Sequence, residues 1–390
     1  MNRRHFLAHS LPGLAAASMG VTGCSNDSGT AQPPAPIGSG FPKPVFITSN
    51  PGFSDYRPSP DRSGQNILFE RTVAPNPRDE NTQIFIIRGV GTANPTVAPF
   101  LTVPANPPAT WPYSQTRPDW SWVTNEVAFS GGPNNQGPNQ VHLVAGDGVA
   151  PRLVADTNAH IYPIWTSDGK QLVVYDENTN VVQPGPPRIG PPVTRLINPD
   201  GTVVQSNMNG LDIAGVQVFG GFAAPKPGNP LQIAFAGQPA LPYWGATPPN
   251  PLPNPLPLPV YNQDNNYVFV NAYRGGVFTS QPLESAAPVV TYDPAYQGRA
   301  PYWSPDGNYV VFESSRMGGY ALFLANVAKG TAPVQLTEAT YWAQHAKFLP
   351  YGTSVVPSGK GIVYTALQTP NATGNGPRGI VVLDIGAFLT

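Results

Sequence analysis

Arg299-Ala-Pro-Tyr-Trp-Ser-Pro-Asp-Gly-Asn-Tyr-Val-Val-Phe-Glu-Ser-Ser-Arg316 reads as strand, tight turn, strand. Tyr302 and Trp303 end the first strand. In the turn, Pro305 presets its φ, Asp306 bonds its own backbone and Gly307 accepts positive φ. Residues 309–312 are aromatic and β-branched, so the chain returns as a strand. Gly318-Gly319 makes a second turn, 320–325 a third strand, and 333–336 is a candidate fourth.

The unit recurs. His160-Ile-Tyr-Pro-Ile-Trp165-Thr-Ser-Asp-Gly169-Lys-Gln-Leu-Val-Val-Tyr175 is the clearest copy. Arg117-Pro-Asp-Trp120-Ser-Trp-Val-Thr-Asn125-Glu-Val-Ala-Phe129 keeps the spacing of Trp, Ser, Asn and Phe but not Pro-Asp-Gly. The stretch 55–69 keeps Ser59-Pro60-Asp61, with an insertion and Pro58 at the Trp position. Weaker copies sit near 216–235 and 344–364. Six copies of a four-stranded unit predict an all-β chain, a six-bladed β-propeller of antiparallel blades. The blades fall at roughly 52–103, 113–157, 158–207, 212–290, 296–337 and 342–390. The last runs short of strands, and a ring left open exposes an edge. Lys43-Pro-Val-Phe-Ile-Thr48 is therefore expected to supply its outer strand, the alternative being an N-terminal strand outside the ring.

These repeats resemble the TolB-type propeller repeat, whose signature is Trp-Ser-Pro-Asp-Gly followed by an apolar strand. The resemblance covers 299–325 and 160–176 best, then 55–69 and 117–130. It implies the fold more than a function, since such repeats also occur in propellers attached to peptidases and in pectic-fragment lyases. The peptidases need a separate hydrolase domain, for which the ring leaves no length. TolB itself carries an extra N-terminal domain that the residues before 43 are too few to form.

Composition agrees with many short strands joined by rich turns. Of 390 residues, 50 are Pro and 40 Gly, yet 40% are hydrophobic and 10% aromatic, enough for a core. The net charge of −1, with basic residues scattered, gives no electrostatic case for nucleic acid or an anionic membrane surface.

Residues 1–24 read as a targeting segment. Asn2-Arg3-Arg4-His5-Phe6-Leu7 resembles the twin-arginine export motif, and the small-residue run 11–21 is too short to span a bilayer. Val21-Thr22-Gly23-Cys24 resembles a bacterial lipobox, which places the lipid on Cys24, the one cysteine of the chain. Several acyl chains, each burying about 0.8 kcal/mol per CH₂, anchor stably. The alternative is an ordinary signal peptide with a chance Cys. Ser25 follows, and the lipoprotein resemblance then favours the outer membrane. Residues 25–42, rich in Pro and Gly, form a flexible tether.

The fourth blade holds a Pro-rich insertion at 238–260. Its prolines lack ladder donors and rule out a central strand. It reads as a polyproline II excursion, either a recognition arm starting at Tyr243 and Trp244 or a flap over a blade. Trp120, Trp165 and Trp303 recur at one position and are expected between blades, each burying roughly 150–250 Å², or ~4–6 kcal/mol gross. Asp61, Asp168 and Asp306 read as turn formers.

If the Ser-Pro-Asp-Gly turn joins the innermost strand to the second, the opposite face gathers the innermost strand starts and the loops after second strands. The strand starts carry Asp55, Arg57, Arg117, His160, Arg299, Gln344 and His345. The loops carry Glu70, Arg71, Asp176, Glu177, Glu313 and Arg316. A polar funnel at one channel mouth follows, with Asp55, Arg57, Arg117, His160, Arg299, Arg316, Gln344 and His345 as its binding candidates. The alternative is ordinary solvation of strand ends.

Enzyme signals are thin: no Gly-x-Ser-x-Gly, no His-Glu-x-x-His, no P-loop and no cofactor motif. The resemblance to pectic-fragment lyases, which hold a divalent metal with His and Gln in the funnel, makes His160, Gln344 and His345 the metal candidates. A third imidazole is lacking, because His142 reads as part of a third strand. The reading is an exported, lipid-anchored protein whose propeller binds an envelope protein or peptide without catalysis. Two alternatives remain: a metal-dependent carbohydrate-active enzyme, or a sensor of a small anion at Arg117, Arg299 and Arg316.

Overall fold

The computed structural model describes residues 41–42, 44–73, 82–109, 111–132, 140–157, 160–176, 193–211, 218–239, 267–283 and 297–389. The targeting segment with Cys24, the tether, Glu177, Tyr243 and Trp244 lie outside the described residues.

The described chain begins with a short strand, β1 (Val45–Phe46), and continues into six sheets in sequence order. Blade 1 is β2 (Phe53–Pro60), β3 (Ile67–Val73), β4 (Gln83–Arg88) and β5 (Thr96–Pro99). Blade 2 is β6 (Ser114–Trp120), β7 (Glu126–Gly132), β8 (Gln140–Ala145) and β9 (Arg152–Leu153). Blade 3 is β10 (His160–Trp165), β11 (Leu172–Asp176), β12 (Val193–Ile197) and β13 (Val203–Gln205). Blade 4 is β14 (Val218–Lys226), β15 (Asn229–Pro239), β16 (Tyr267–Arg274) and β17 (Val277–Pro282). Blade 5 is β18 (Gly298–Trp303), β19 (Tyr309–Ser314), β20 (Ala321–Asn326) and β21 (Val334–Gln335). Blade 6 is β22 (Gln344–Phe348), β23 (Gly361–Leu367) and β24 (Arg378–Asp384), with β1 as its fourth strand.

The ring therefore closes as the missing strand required. Val45 and Phe46 pair with Val382 and Val381. The seam continues past the strand, where Ile47 N–H donates to Ile380 O at 2.8 Å and Ile380 N–H to Thr48 Oγ1 at 2.8 Å. The partners of each bond are some 330 positions apart, so the closure joins the first and last strands of the propeller directly.

The repeated turn behaves as its residues dictate. Ser304 N–H donates to Tyr309 O, Ser304 Oγ accepts the Tyr309 N–H, and Asp306 accepts the Asn308 N–H. Gly307 takes φ +69° and Gly169 +68°, as the turn requires. Thr166 and Asp168 repeat the pattern. Blade 1 corrects the sequence alignment: Ser59-Pro60-Asp61 is not the equivalent of Ser304-Pro305-Asp306. Asp61 stands where Ser304 stands, donating its N–H to Asn66 O and accepting the Asn66 N–H with its carboxylate. Pro60, not Pro58, occupies the Trp position. A carboxylate does here what a serine hydroxyl does elsewhere, so a matching tripeptide two positions early was misleading.

Packing lies between blades. Trp120 joins Leu68, Ile84 and Ile86 of blade 1 to Val127, Phe129 and Val144 of blade 2. Trp303 joins Ala234, Val268 and Val270 of blade 4 to Val310, Phe312 and Phe323 of blade 5. The Pro-rich insertion starts later than its prolines indicate: Gln238 and Pro239 still pair with Phe219 and Val218 at the end of β15. Pairing to β16 stops at Gly237, so the donor that Pro239 lacks is not needed on that side. Among the described residues no helix is long and apolar enough to cross a membrane.

Candidate binding site at the channel mouth

Every innermost strand carries one extra residue relative to its partner. The register shifts between Tyr56 and Ser59, Thr116 and Asp119, Ile161 and Ile164, Gly221 and Ala224, Arg299 and Tyr302, and Gln344 and Lys347. The bulged residue takes positive φ in all six blades: Arg57 (48°), Arg117 (57°), Tyr162 (56°), Phe222 (53°), Ala300 (47°) and His345 (53°). Left-handed backbone costs a residue with Cβ about 1–2 kcal/mol. Glycine is the usual occupant of such a bulge, yet none stands here.

These six residues form a neck. All of them line an inner chamber of about 70 Å³, together with Pro118, Ile164, Ala223, Pro301, Tyr302, Ala346 and Lys347. Arg57, Tyr162, Phe222 and His345 also line an outer chamber of about 190 Å³, with Tyr56, Glu70, Thr72, Thr82 and Arg299. The neck thus separates a polar antechamber from a largely apolar pit.

A bulge frees a backbone N–H, and the preceding blade catches it. Arg117 N–H donates to Glu70 Oε1, Tyr162 N–H to Ser130 Oγ at 3.1 Å, His345 N–H to Glu313 Oε2 at 2.9 Å, and Arg57 N–H to Thr365 Oγ1 at 3.2 Å. The four acceptors occupy the same position on their second strands. Blades 3 and 4 put Tyr175 and Ala236 there instead. The Tyr175 ring lies where a Cβ on Gly221 would stand, 1.7 Å from its Cδ2, so glycine is obligatory at that point. Tyr162 and Phe222 then meet with centroids 4.2 Å apart, and Tyr175 packs beside them. One side of the neck is aromatic.

The other side is charged. Glu70 accepts from Arg57 at 2.7 Å and Glu313 from Arg299; both carboxylates are fully buried. The Arg117 guanidinium stacks on Tyr162, 3.6 Å from its centroid. Burial, and then Arg57, Arg299, Arg378 and Arg117, hold His345 well below the ordinary imidazole range. Unfolding returns that imidazole to about 6.5, so below that pH the unfolded chain binds a proton that the native state refuses. The stability contribution is complete above pH ~6.5 and is lost on acidification, at up to about 1.4 kcal/mol per pH unit. His160, lowered first by its own burial, acts with the same sign. Urea midpoints of His345→Gln are expected to fall less steeply than wild type from pH 6.5 to 5. Parallel curves would contradict this account of His345.

The pit has a floor. Lys347 of blade 6 reaches Asp119 of blade 2, Nζ to Oδ1 at 2.6 Å, and donates to Pro118 O at 3.0 Å. Burial raises the Asp119 carboxyl, opposed by Lys347; burial and Asp119 together raise Tyr302 well above the usual phenol. Asp119 Oδ2 also accepts the Trp165 N–H at 2.7 Å.

No protein-family model and no curated protein matches the chain. Solved structures similar to it include TolB from Acinetobacter baumannii, 12% identical over 73% of this chain and 55% of that one, with a TM-score of 0.45. The acylaminoacyl peptidase of Pyrococcus horikoshii is 10% identical over 85% and 51%, TM-score 0.43. The β-propeller domain of the Trilobed protease from Pyrococcus furiosus is 10% identical over 85% and 96%, TM-score 0.44. The chain spans about half the length of the first two. The likeness is one of fold.

Of the residues singled out in the sequence, Arg57, Arg117, Arg299 and His345 come together around the neck. Asp55 lies two residues before Arg57 and is buried against Arg71, Oδ1 to Nε at 2.8 Å. His160 and Gln344 line neither chamber. His160 Nε2 sits 3.8 Å from Asp176, which also pairs with Arg195 at 2.7 Å. Arg316 packs its guanidinium 4.6 Å from the Phe323 centroid and donates to Ser314. Among the described residues no three His, Cys, Asp or Glu side chains converge as a metal would need. His345 moreover faces guanidinium groups, a field that disfavours a divalent cation. Sequence reading missed Tyr162, Phe222, Ala300 and the Lys347–Asp119 floor. The available signal was spacing: each neck residue lies three positions before Pro60, Trp120, Trp165, Pro225, Trp303 or Phe348.

Proposed function

We propose that the chain is exported, acylated at Cys24 and held on the periplasmic side of the bacterial outer membrane, where its propeller binds a short extended segment of an envelope protein. The observation that carries the binding reading is the neck. Six equivalent bulges accept backbone strain, and five of them carry large side chains around a single opening. An outer chamber of about 190 Å³ suits the end or a few side chains of an extended segment, not a folded domain. The lipid anchor rests on the lipobox resemblance alone.

The test is photo-crosslinking in cells. A benzophenone side chain replaces exposed Met317, in the loop after β19 on the mouth side, or Asp200, in the loop between β12 and β13. A discrete protein adduct is expected from position 317 and not from 200, in the membrane fraction for the native chain and in the soluble fraction for Cys24→Ala. No adduct from 317, or equal adducts from both sites, would remove the peptide-binding reading. Unchanged fractionation of Cys24→Ala would remove the anchor.

A further inference from the structure

We propose that the channel is a dead-end receptor for a peptide C-terminus, with the α-carboxylate held at the arginine side of the neck and a small apolar terminal side chain filling the pit. This deepens the peptide reading above and rests on it. Three independent features lead to it. The first is the floor. The Lys347–Asp119 bridge crosses from blade 6 to blade 2, with Tyr302 of blade 5 against Asp119, so a segment cannot thread the propeller and must enter by an end. The second is the sign of the mouth. Among the described residues Arg57, Arg117, Arg299 and Arg378 surround His345, against the two carboxylates Glu70 and Glu313. An incoming ammonium is repelled and an incoming carboxylate attracted, and guanidinium forks match a carboxylate's geometry. The third is the pit. Pro118, Ile164, Ala223, Pro301 and Ala346 give it an apolar wall, and its volume of about 70 Å³, a little over two waters at roughly 30 Å³ each, is room for a small aliphatic side chain only.

Ala300 supplies the decisive variant. It is the one neck residue without a large side chain, and Tyr162 and Phe222 occupy its equivalents with the same backbone. Ala300→Phe is therefore compatible with the fold and places a ring in the opening. The probes are octapeptides of mixed sequence ending in Ala, Val or Leu, as free acids, as C-terminal amides, and as N-acetylated free acids, measured by fluorescence anisotropy on the mature protein at low salt. Free acids are expected to bind ~10–100-fold tighter than amides, as loss of a charge-assisted contact predicts. N-acetylation is expected to change nothing, and Ala300→Phe to abolish binding while keeping the wild-type circular dichroism spectrum. Amides binding as tightly as acids would overturn the C-terminal assignment while leaving the peptide reading standing. If no peptide binds and crosslinking from 317 fails as well, both fall. Binding of butyrate without any free-acid peptide binding would overturn the proposal in favour of a small free carboxylate.

Discussion

Glu313→Ala is expected to destabilise the propeller by about 3–5 kcal/mol, the range for removing one partner of a buried charge pair. Glu313 has no exposed surface. One carboxylate oxygen accepts Arg299 Nε, the other the bulge N–H of His345 in the next blade. The alanine variant leaves a partly exposed guanidinium without its carboxylate beside three others, and it strips the acceptor from an N–H that the β22–β23 ladder has already released. The Arg299 side chain remains 29% exposed, so water reaches it and the lower half of the range applies. Glu313→Gln separates the two roles. Its amide oxygen still accepts the His345 N–H, while the charge on Arg299 goes unpaired, so a loss about half as large is expected. Chemical denaturation at pH 7.5, where His345 is neutral in both states, reads both. If Glu313→Ala costs under about 1 kcal/mol, the latch between blades 5 and 6 is not a source of stability. Glu70 holds the equivalent position between blades 1 and 2, accepting from the bulged Arg57 side chain and from the bulge N–H of Arg117, and is a second test of the same latch.

The propeller was legible because its information is local and repeated. The turn at 304–307 depends on hydrogen bonds spanning five residues, and the Trp positions recur with it. Ring closure was legible for a different reason: a blade short of one strand and one spare strand at 43–48. Asp61 shows the limit of motif matching, since Ser and Asp interchange at the first turn position and only the hydrogen bonds reveal which residue fills it.

The site was half legible. Charged residues gathered at one face, and Arg57, Arg117, Arg299 and His345 do meet there. What the sequence concealed is the bulge. Arg57, Arg117, Tyr162 and Ala300 each precede a proline, a position normally driven to extended backbone. Nothing in their identity marks them as left-handed, and without the bulge a strand reading assigns the wrong residues to the channel. That is why Asp55 and His160 are expected in the funnel from their place at the strand starts, whereas Asp55 pairs with Arg71 and His160 lies buried beside Asp176, outside both chambers. The floor was concealed for another reason: Asp119 and Lys347 are 228 positions apart and touch only because ring closure brings blades 2 and 6 to either side of blade 1.

That floor yields a second large effect. Lys347→Met removes the cation from a carboxylate that is 2% exposed, so a loss of about 3–5 kcal/mol is expected at neutral pH. Asp119 offers its own escape: burial already raises its pKa, and without Lys347 the rise is larger. The folded variant then holds a proton that the unfolded chain, with a carboxyl near 3.8, releases. Stability of Lys347→Met should therefore decline as pH climbs above about 4, by up to about 1.4 kcal/mol per unit, until the folded carboxyl ionises. The opposite slope is expected from His345, so the two titrations separate cleanly in the double variant with His345→Gln. Asp119→Leu alone strands Lys347 and takes the acceptor from the Trp165 N–H, and should cost a similar amount. Combining Asp119→Leu with Lys347→Met removes both charges and leaves apolar groups in an apolar pit. The double variant is expected within about 1–2 kcal/mol of wild type, the remainder being the Trp165 N–H and the Tyr302 hydroxyl, both left without Asp119. Strictly additive losses would mean that the bridge across the channel contributes no coupling, and that the dead end is held by the blades alone.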